Sequence, residues 1–245
     1  MKDNFSRQAD LYAVYRPGYP KELFHFILQQ VQQRNAAWDC ATGNGQSAKE
    51  LAPYFEKIFA TDTSQKQLEH AYPLANIIYS QQPAERTNFP DSSFDLVTVS
   101  QALHWFRFED FYREVKRVSR PDAWVAVWMY SLLRISPAID TLIAHYHFDF
   151  LRDYWDKERK YVDDDYQNIP FPFNEIKTPV FESTYYWTMD QLEGYFNTWS
   201  ALQQFKTKNN YSPVKELISH ISAHWTGEKM QVVFPIHLRM APVHK

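Results

Sequence analysis

From residue 36 to residue 130 the chain alternates between two hydrophobic periods. Short, nearly continuous apolar runs are separated by segments whose apolar residues recur every three or four positions. AAWDCAT (36–42), KIFATD (57–62), NIIYSQ (76–81), FDLVTVS (94–100) and AWVAVWMY (123–130) read as strands. QSAKELAPYF (46–55), SQKQLEHAYP (64–73) and EDFYREVKRVSR (109–120) read as helices, with Pro53 and Pro73 limiting the first two. Before them, Pro20 suits a first helical position, and Phe24, Ile27, Leu28 and Val31 repeat at helical spacing. Strands apolar on both faces and alternating with helices predict a parallel sheet covered on both sides.

Beyond residue 130 the pattern is less regular. LRISPAIDTLIAHYHFDFLRDYW reads as helix, and YVDDDYQNIPFPFNEIKTP as an extended surface segment with RPDA (120–123) as an earlier turn. VFESTYYWT is a strand, TMDQLEGYFNTWSALQQF and SPVKELISHISAHW are helices, and KMQVVFPIHLRMA is a last strand. The expected architecture is α/β: a Rossmann-like, seven-stranded, mostly parallel sheet with helices on both faces and an antiparallel last strand. No linker-like segment separates a second domain. Residues 1–19 form an aromatic and polar front segment, 20–130 the core, and 131–245 a substrate-side insertion with the final strands.

Composition narrows the function. A net charge of −3 gives no electrostatic footprint for nucleic acid. No apolar run approaches the ~20 residues of a membrane-crossing helix, and the first residues lack an apolar signal core. With Cys40 as its only cysteine the chain forms no internal disulfide, so a cytoplasmic protein is expected. Aromatic residues make up 17% of the chain, many of them after residue 130, which favours an organic ligand with an apolar part. Tyr146, Trp155, Trp187 and Trp199 are among the candidate walls. His145 with His147, and His220 with His224, lack the further ligands of a zinc site, so no metal centre is expected.

The chemistry gathers around DCATGNG (39–45). A strand that ends in a glycine turn and feeds a helix lets a ligand approach the backbone closely. Asp62 ends the next strand, where a carboxylate accepts hydrogen bonds from ribose hydroxyls. The turn lacks both the GxGxxG spelling and a phosphate-binding GKS or GKT. Asp39, just before it, opposes a pyrophosphate but suits a cationic amine. A ribose-bearing, phosphate-free, positively charged cofactor meets these conditions, and S-adenosylmethionine is one.

The chain here resembles the class I S-adenosylmethionine-dependent methyltransferases, and within them the small-molecule branch of the trans-aconitate and ubiquinone/menaquinone-type enzymes. DCATGNG is similar to that family's D-x-G-x-G-x-G turn, with Ala41 in place of the first glycine. ATDTSQKQLEHA, PAERTNFPDSSFDLVTVSQALHWF and FYREVKRVSRPDAWVAVW resemble its following segments, with Asp122 and Ala123 where glycines are usual. FSRQADLYAVYRPGYP resembles its front segment.

This resemblance implies a set of roles. Asp39, the Ala41 backbone and Gly43 would face the methionine part, and Gly45 would be a further cofactor-binding residue. Asp62 would hold the ribose with Thr63 beside it, and Ala84 and Glu85 would border the adenine. Ser100 and Gln101 would lie opposite the methyl group. Tyr12 and Arg16 would reach the cofactor from a front segment acting as a lid, and Arg7 would anchor an anionic substrate. His104 is the candidate catalytic base, with a structural histidine as the alternative reading. Trp105 and Trp187 would wall the substrate pocket. The expected partner is a small molecule, without nucleic acid or membrane insertion, in a monomer or homodimer. Two other functions stay open: a cofactor-binding protein without turnover, and a nicotinamide-dependent oxidoreductase.

Overall fold

The computed structural model describes residues 15–244. Seven strands form one sheet in the order β3-β2-β1-β4-β5-β7-β6. They are β1 (Ala36–Cys40), β2 (Lys57–Asp62), β3 (Ile77–Gln81), β4 (Phe94–Ser100), β5 (Ser119–Tyr130), β6 (Val180–Trp187) and β7 (Met230–Pro242). β1 to β5 pair in parallel, whereas β7 runs antiparallel to both β5 and β6. The strand order reverses at β1 and β4, and the crevice beside their carboxyl ends is where an open α/β sheet binds ligands.

Side chains on successive strand residues point to opposite faces, and both faces are buried. Ala37, Ile58, Leu96, Ala126 and Trp128 enter one apolar cluster, together with α1 (Lys21–Gln30) and α2 (Gln46–Leu51). Four helices of the second half join the same cluster, whereas Val162 of a fifth (Arg159–Asp163) enters the opposite one. Trp38, Val97, Val99, Val125 and Val127 enter the other, under α4 (Phe108–Val118). Between them in sequence lies α3 (Gln65–Glu69), which Ser64 caps by accepting from the Gln67 backbone N–H. In α4, Phe111, Val115 and Val118 lie on the buried face, as the helical spacing predicts.

Several boundaries differ from the sequence reading. β5 starts at Ser119, so RPDA is extended rather than a turn. Arg120 is held there by Asp95, which is 3% exposed and also accepts from the backbone N–H groups of Asn35 and Ala36. The helix expected over 133–155 is α5 (Pro137–His145), then one wide turn (Tyr146–Phe150) and one tight turn (Arg152–Tyr154). The segment expected to run over the surface instead contains α6 (Arg159–Asp163), and Val162, Tyr166 and Ile169 are buried. Asp165 and Tyr166 both take positive φ, which turns the chain sharply inward. The helix expected over 188–205 is split into α7 (Met189–Phe196) and α8 (Ser200–Asn209), and α9 (Val214–Ser222) follows. The last strand is antiparallel, as expected, but it lies inside the sheet and leaves β6 at the edge.

Candidate active site

The turn between β1 and α2 is built from left-handed residues. Ala41, Gly43 and Gly45 have φ of 53°, 58° and 84°. The Thr42 N–H donates to the Thr61 carbonyl at 2.9 Å, and the Gly45 N–H to the Thr42 carbonyl at 2.9 Å, which ties the turn to β2 and closes it. A Cβ added at Gly45 would stand 2.4 Å from Tyr79 Oη, so this position needs glycine for space as well as for φ. Gly45→Ala is expected to lower stability by about 1–3 kcal/mol. Urea denaturation checks this, and an unchanged midpoint would contradict it. At Gly43 an added Cβ would meet only Gln67 Oε1, at 4.0 Å, so the backbone there faces open space.

Two carboxylates flank the turn. Asp39 is fully buried beneath it. Its Oδ1 accepts from Thr98 Oγ1 at 2.7 Å and its Oδ2 from Thr42 Oγ1. Burial pushes its pKa up to about 6, against the pull of those hydrogen bonds. Asp62 ends β2. Its Oδ2 accepts from the Gly43 N–H at 2.9 Å and its Oδ1 from the Ser64 N–H at 2.8 Å. Beside it, the Thr63 carbonyl accepts from Gln81 Nε2 at 2.8 Å.

Above the turn lies a cleft lined by Arg16, Ala41, Gly43, Ser100, Gln101 and Tyr130. Ser100 Oγ accepts from Ser47 Oγ at 3.0 Å. Gln101 has φ of 52° and is fixed between β4 and β5: its N–H donates to the Trp128 carbonyl, and its Oε1 accepts from the Tyr130 N–H at 2.7 Å. Arg16 Nη1 donates to Tyr130 Oη at 2.6 Å, and Nη2 to the Thr198 carbonyl at 3.1 Å. Arg7 and Tyr12 lie outside the described residues.

Two further groups lie off the cleft. Ala84 is buried, and Glu85 Oε1 accepts from the Arg107 N–H at 3.1 Å, at the start of α4. His104 sits on a tight turn (Leu103–Trp105) after β4. It is 6% exposed, its Nδ1 lies 2.6 Å from Tyr166 Oη, and its ring is 4.8 Å from Trp105. Burial, with Arg159's charge adding to it, lowers His104 to about 3, so the ring is neutral at pH 7. Trp187 is in the core, packed on Tyr185, Tyr195 and Phe234 at 5.5–5.6 Å, and does not line the cleft.

The family described as "Methyltransferase domain" matches residues 38–127. A Dictyostelium discoideum protein named "Putative methyltransferase" is 31% identical over 96% of this chain and 93% of its own. The chain belongs to the class I S-adenosylmethionine-dependent methyltransferase family. A solved structure from Anaeromyxobacter dehalogenans, named "a Putative Type II Methyltransferase", superposes with a TM-score of 0.86. It is 33% identical and covers 94% of this chain and 98% of its own. A Saccharomyces cerevisiae protein named "Probable S-adenosylmethionine-dependent methyltransferase" is 26% identical over 63% of this chain and 55% of its own.

The donor set of this methyltransferase-family chain fits the family's cofactor. The open space at Gly43 admits a ligand to the backbone, and the acids of Asp39 and Asp62 favour a cation over a pyrophosphate. Sequence reasoning did not single out Tyr130, Tyr166 or Arg159. Tyr130 ends β5 and carries no motif. Tyr166 follows an acidic run that reads as solvated. Arg159 stands four positions before Asp163, an (i, i+4) spacing that was the one available signal. Among the described residues no group of three or more His, Cys, Asp or Glu side chains could hold a metal ion, and no helix is long and apolar enough to cross a membrane.

Proposed function

We propose that this chain transfers the methyl group of S-adenosylmethionine to an oxygen or carbon of a small organic substrate, a carboxylate among the acceptors. The observation that carries this reading is the tie between Asp62 and the glycine turn: one carboxylate fixes the Gly43 backbone and stands at the strand end where a ribose would lie. Each of its oxygens can accept more than one hydrogen bond. When bound, the cofactor supplies an electrophilic methyl carbon, whose bond to sulfur breaks as the acceptor's electron pair forms the new bond.

The chain's own residues position and shield. Ala41, Gly43 and Gly45 offer backbone to the methionine part, and the charge of Asp39 beneath them favours its amine. Thr63 lies beside the ribose, and Ala84 and Glu85 lie on the adenine side. Ser100, bonded to Ser47 of α2, and Gln101, locked between β4 and β5, face the methyl group, and Arg16 with Tyr130 closes that end of the cleft. Arg7 and Tyr12 belong to the proposed front lid, and Trp105 to the pocket wall.

His104 is kept neutral, and an acid acceptor, already a nucleophile, asks no base of it. His104 as base belongs to an acceptor whose proton must leave. RPGYP and the spelling of the turn support the narrower kinship with the trans-aconitate and ubiquinone/menaquinone-type enzymes, and the single buried Cys40 fits a cytoplasmic location.

Calorimetric titration with S-adenosylhomocysteine, with NAD for comparison, tests the cofactor. Selective binding in the micromolar range is expected. Preference for NAD would move the chain to the oxidoreductase reading. Tight S-adenosylhomocysteine binding without turnover on any small acid, phenol or quinol precursor would leave a cofactor-binding protein.

A further inference from the structure

One cation near the site has no part in the cofactor reading. Arg159 opens α6, and its side chain is only 20% exposed. Its Nε donates to Asp163 Oδ1 at 3.0 Å, and its guanidinium lies 4.8 Å over the Trp155 ring. Among the described residues neither Nη donates to a protein acceptor, so the outer fork of four N–H donors is left without one.

The fork is aimed rather than loose. Asp163 Oδ1 is also 3.0 Å from His147 Nε2, and His147 is 1% exposed against the rings of Trp155 and Trp199. The pair therefore fixes the Nε edge and leaves the other edge to a ligand. Its charge acts on His104, Tyr166 and Tyr195, which lie far apart in the sequence. Tyr195 in turn lies 5.6 Å from the guanidinium of Arg16, which is bonded to Tyr130 on the cleft. Ring contacts from Trp155 to Trp199 at 5.5 Å and from Trp199 to Tyr195 at 6.0 Å thus connect Arg159 to Arg16 at the cleft.

We propose that the Nη1 and Nη2 atoms of Arg159 form the anion subsite for the substrate, taking a carboxylate as a bidentate pair, with Asp163 and His147 as positioning residues. The inference rests on the methyltransferase reading of the adjoining cleft. It defines the substrate class as an organic acid whose apolar body lies along Tyr195 and Trp155 while its reacting atom reaches the cleft. Bidentate pairing asks for a planar oxyanion, which separates an acid from its amide.

The test is calorimetry of the protein loaded with S-adenosylhomocysteine, titrated with 3-phenylpropionate and with glutarate, each against its amide. At least one acid is expected to bind, with its amide about tenfold or more weaker. Arg159→Gln is expected to remove that preference while leaving S-adenosylhomocysteine affinity unchanged, and Arg159→Lys, which keeps the charge, to restore part of it. Equal binding of acid and amide, binding of neither acid, or an Arg159→Gln protein that prefers the acid as strongly as the wild type would each overturn the proposal. Failure of S-adenosylhomocysteine to bind would overturn the cofactor reading instead. The acid titrations, run on the unloaded protein, then decide the anion subsite by the same outcomes.

Discussion

Replacing Asp62 with alanine weakens S-adenosylhomocysteine binding by roughly thirty- to a hundredfold, or about 2–3 kcal/mol. Two losses combine in that figure. The variant gives up the hydrogen bonds that a carboxylate at this strand end makes to ribose hydroxyls. It also frees the Gly43 and Ser64 N–H groups, which the two carboxylate oxygens hold at 2.9 and 2.8 Å, so the turn is no longer pre-set. Asp62→Asn separates the two. Its amide keeps one acceptor oxygen but turns N–H donors toward the other backbone N–H, so an intermediate loss is expected. Calorimetry on both variants, with circular dichroism to show that they are folded, is the check. Wild-type affinity in Asp62→Ala would remove the ribose role.

The second large effect is on acid stability. His104 has its pKa lowered from 6.5 to about 3 in the folded chain, chiefly by burial. Between those values the unfolded chain takes up a proton that the folded chain refuses. The stabilising contribution is therefore complete above pH 6.5 and is lost as pH falls toward 3, with a size of about 5 kcal/mol. His147, also lowered mainly by burial, acts in the same direction. Asp39 acts oppositely: its carboxyl is raised from 3.8 to about 6, so its contribution is present below pH 3.8 and is lost as pH rises through 6. The difference between wild type and a His104→Gln variant isolates the ring from the rest. Urea midpoints at pH 7.5, 6, 5 and 4 should fall less steeply on acidification in the variant. Parallel curves would show that the ring is not held neutral. On an acid acceptor, turnover in this variant should persist; on a phenol it should drop if His104 removes the proton.

The parts of the fold legible in the sequence were those whose burial is simple. β2 and β4 are apolar on both faces because helices cover both, and their bounds can be read directly from the runs KIFATD and FDLVTVS. The segment over 161–179 was not legible, because its buried residues are isolated. Val162, Tyr166 and Ile169 reach the core between acids and amides, and the positive φ of Asp165 and Tyr166 has no glycine to announce it. The start of β5 was hidden by a proline and an aspartate that usually mark turns; Asp95, distant in sequence, holds Arg120 extended. The same distinction holds for the site. Asp39, Gly43, Gly45 and Asp62 lie on one local strand–turn–helix–strand unit, so spacing alone brings them together. His104 meets Tyr166, and His147 meets Asp163, only through tertiary folding of separate segments, which no local pattern records.

The position of β7 bears on how the chain is made. β6 has no other partner and β5 needs it to cover the edge away from β4, yet it is translated after both. Roughly 100 residues separate the end of β5 from the start of β7, so at ribosomal speed about 5–20 s pass with the β5 edge open. That edge belongs to AWVAVWMY, a run almost wholly buried in the finished sheet. A nascent chain paused in this interval presents an apolar strand with one open edge to its neighbours, the kind of surface that chaperones cover and that otherwise seeds aggregation. Translation pauses before Met230 would lengthen that exposure and lower the yield of native protein.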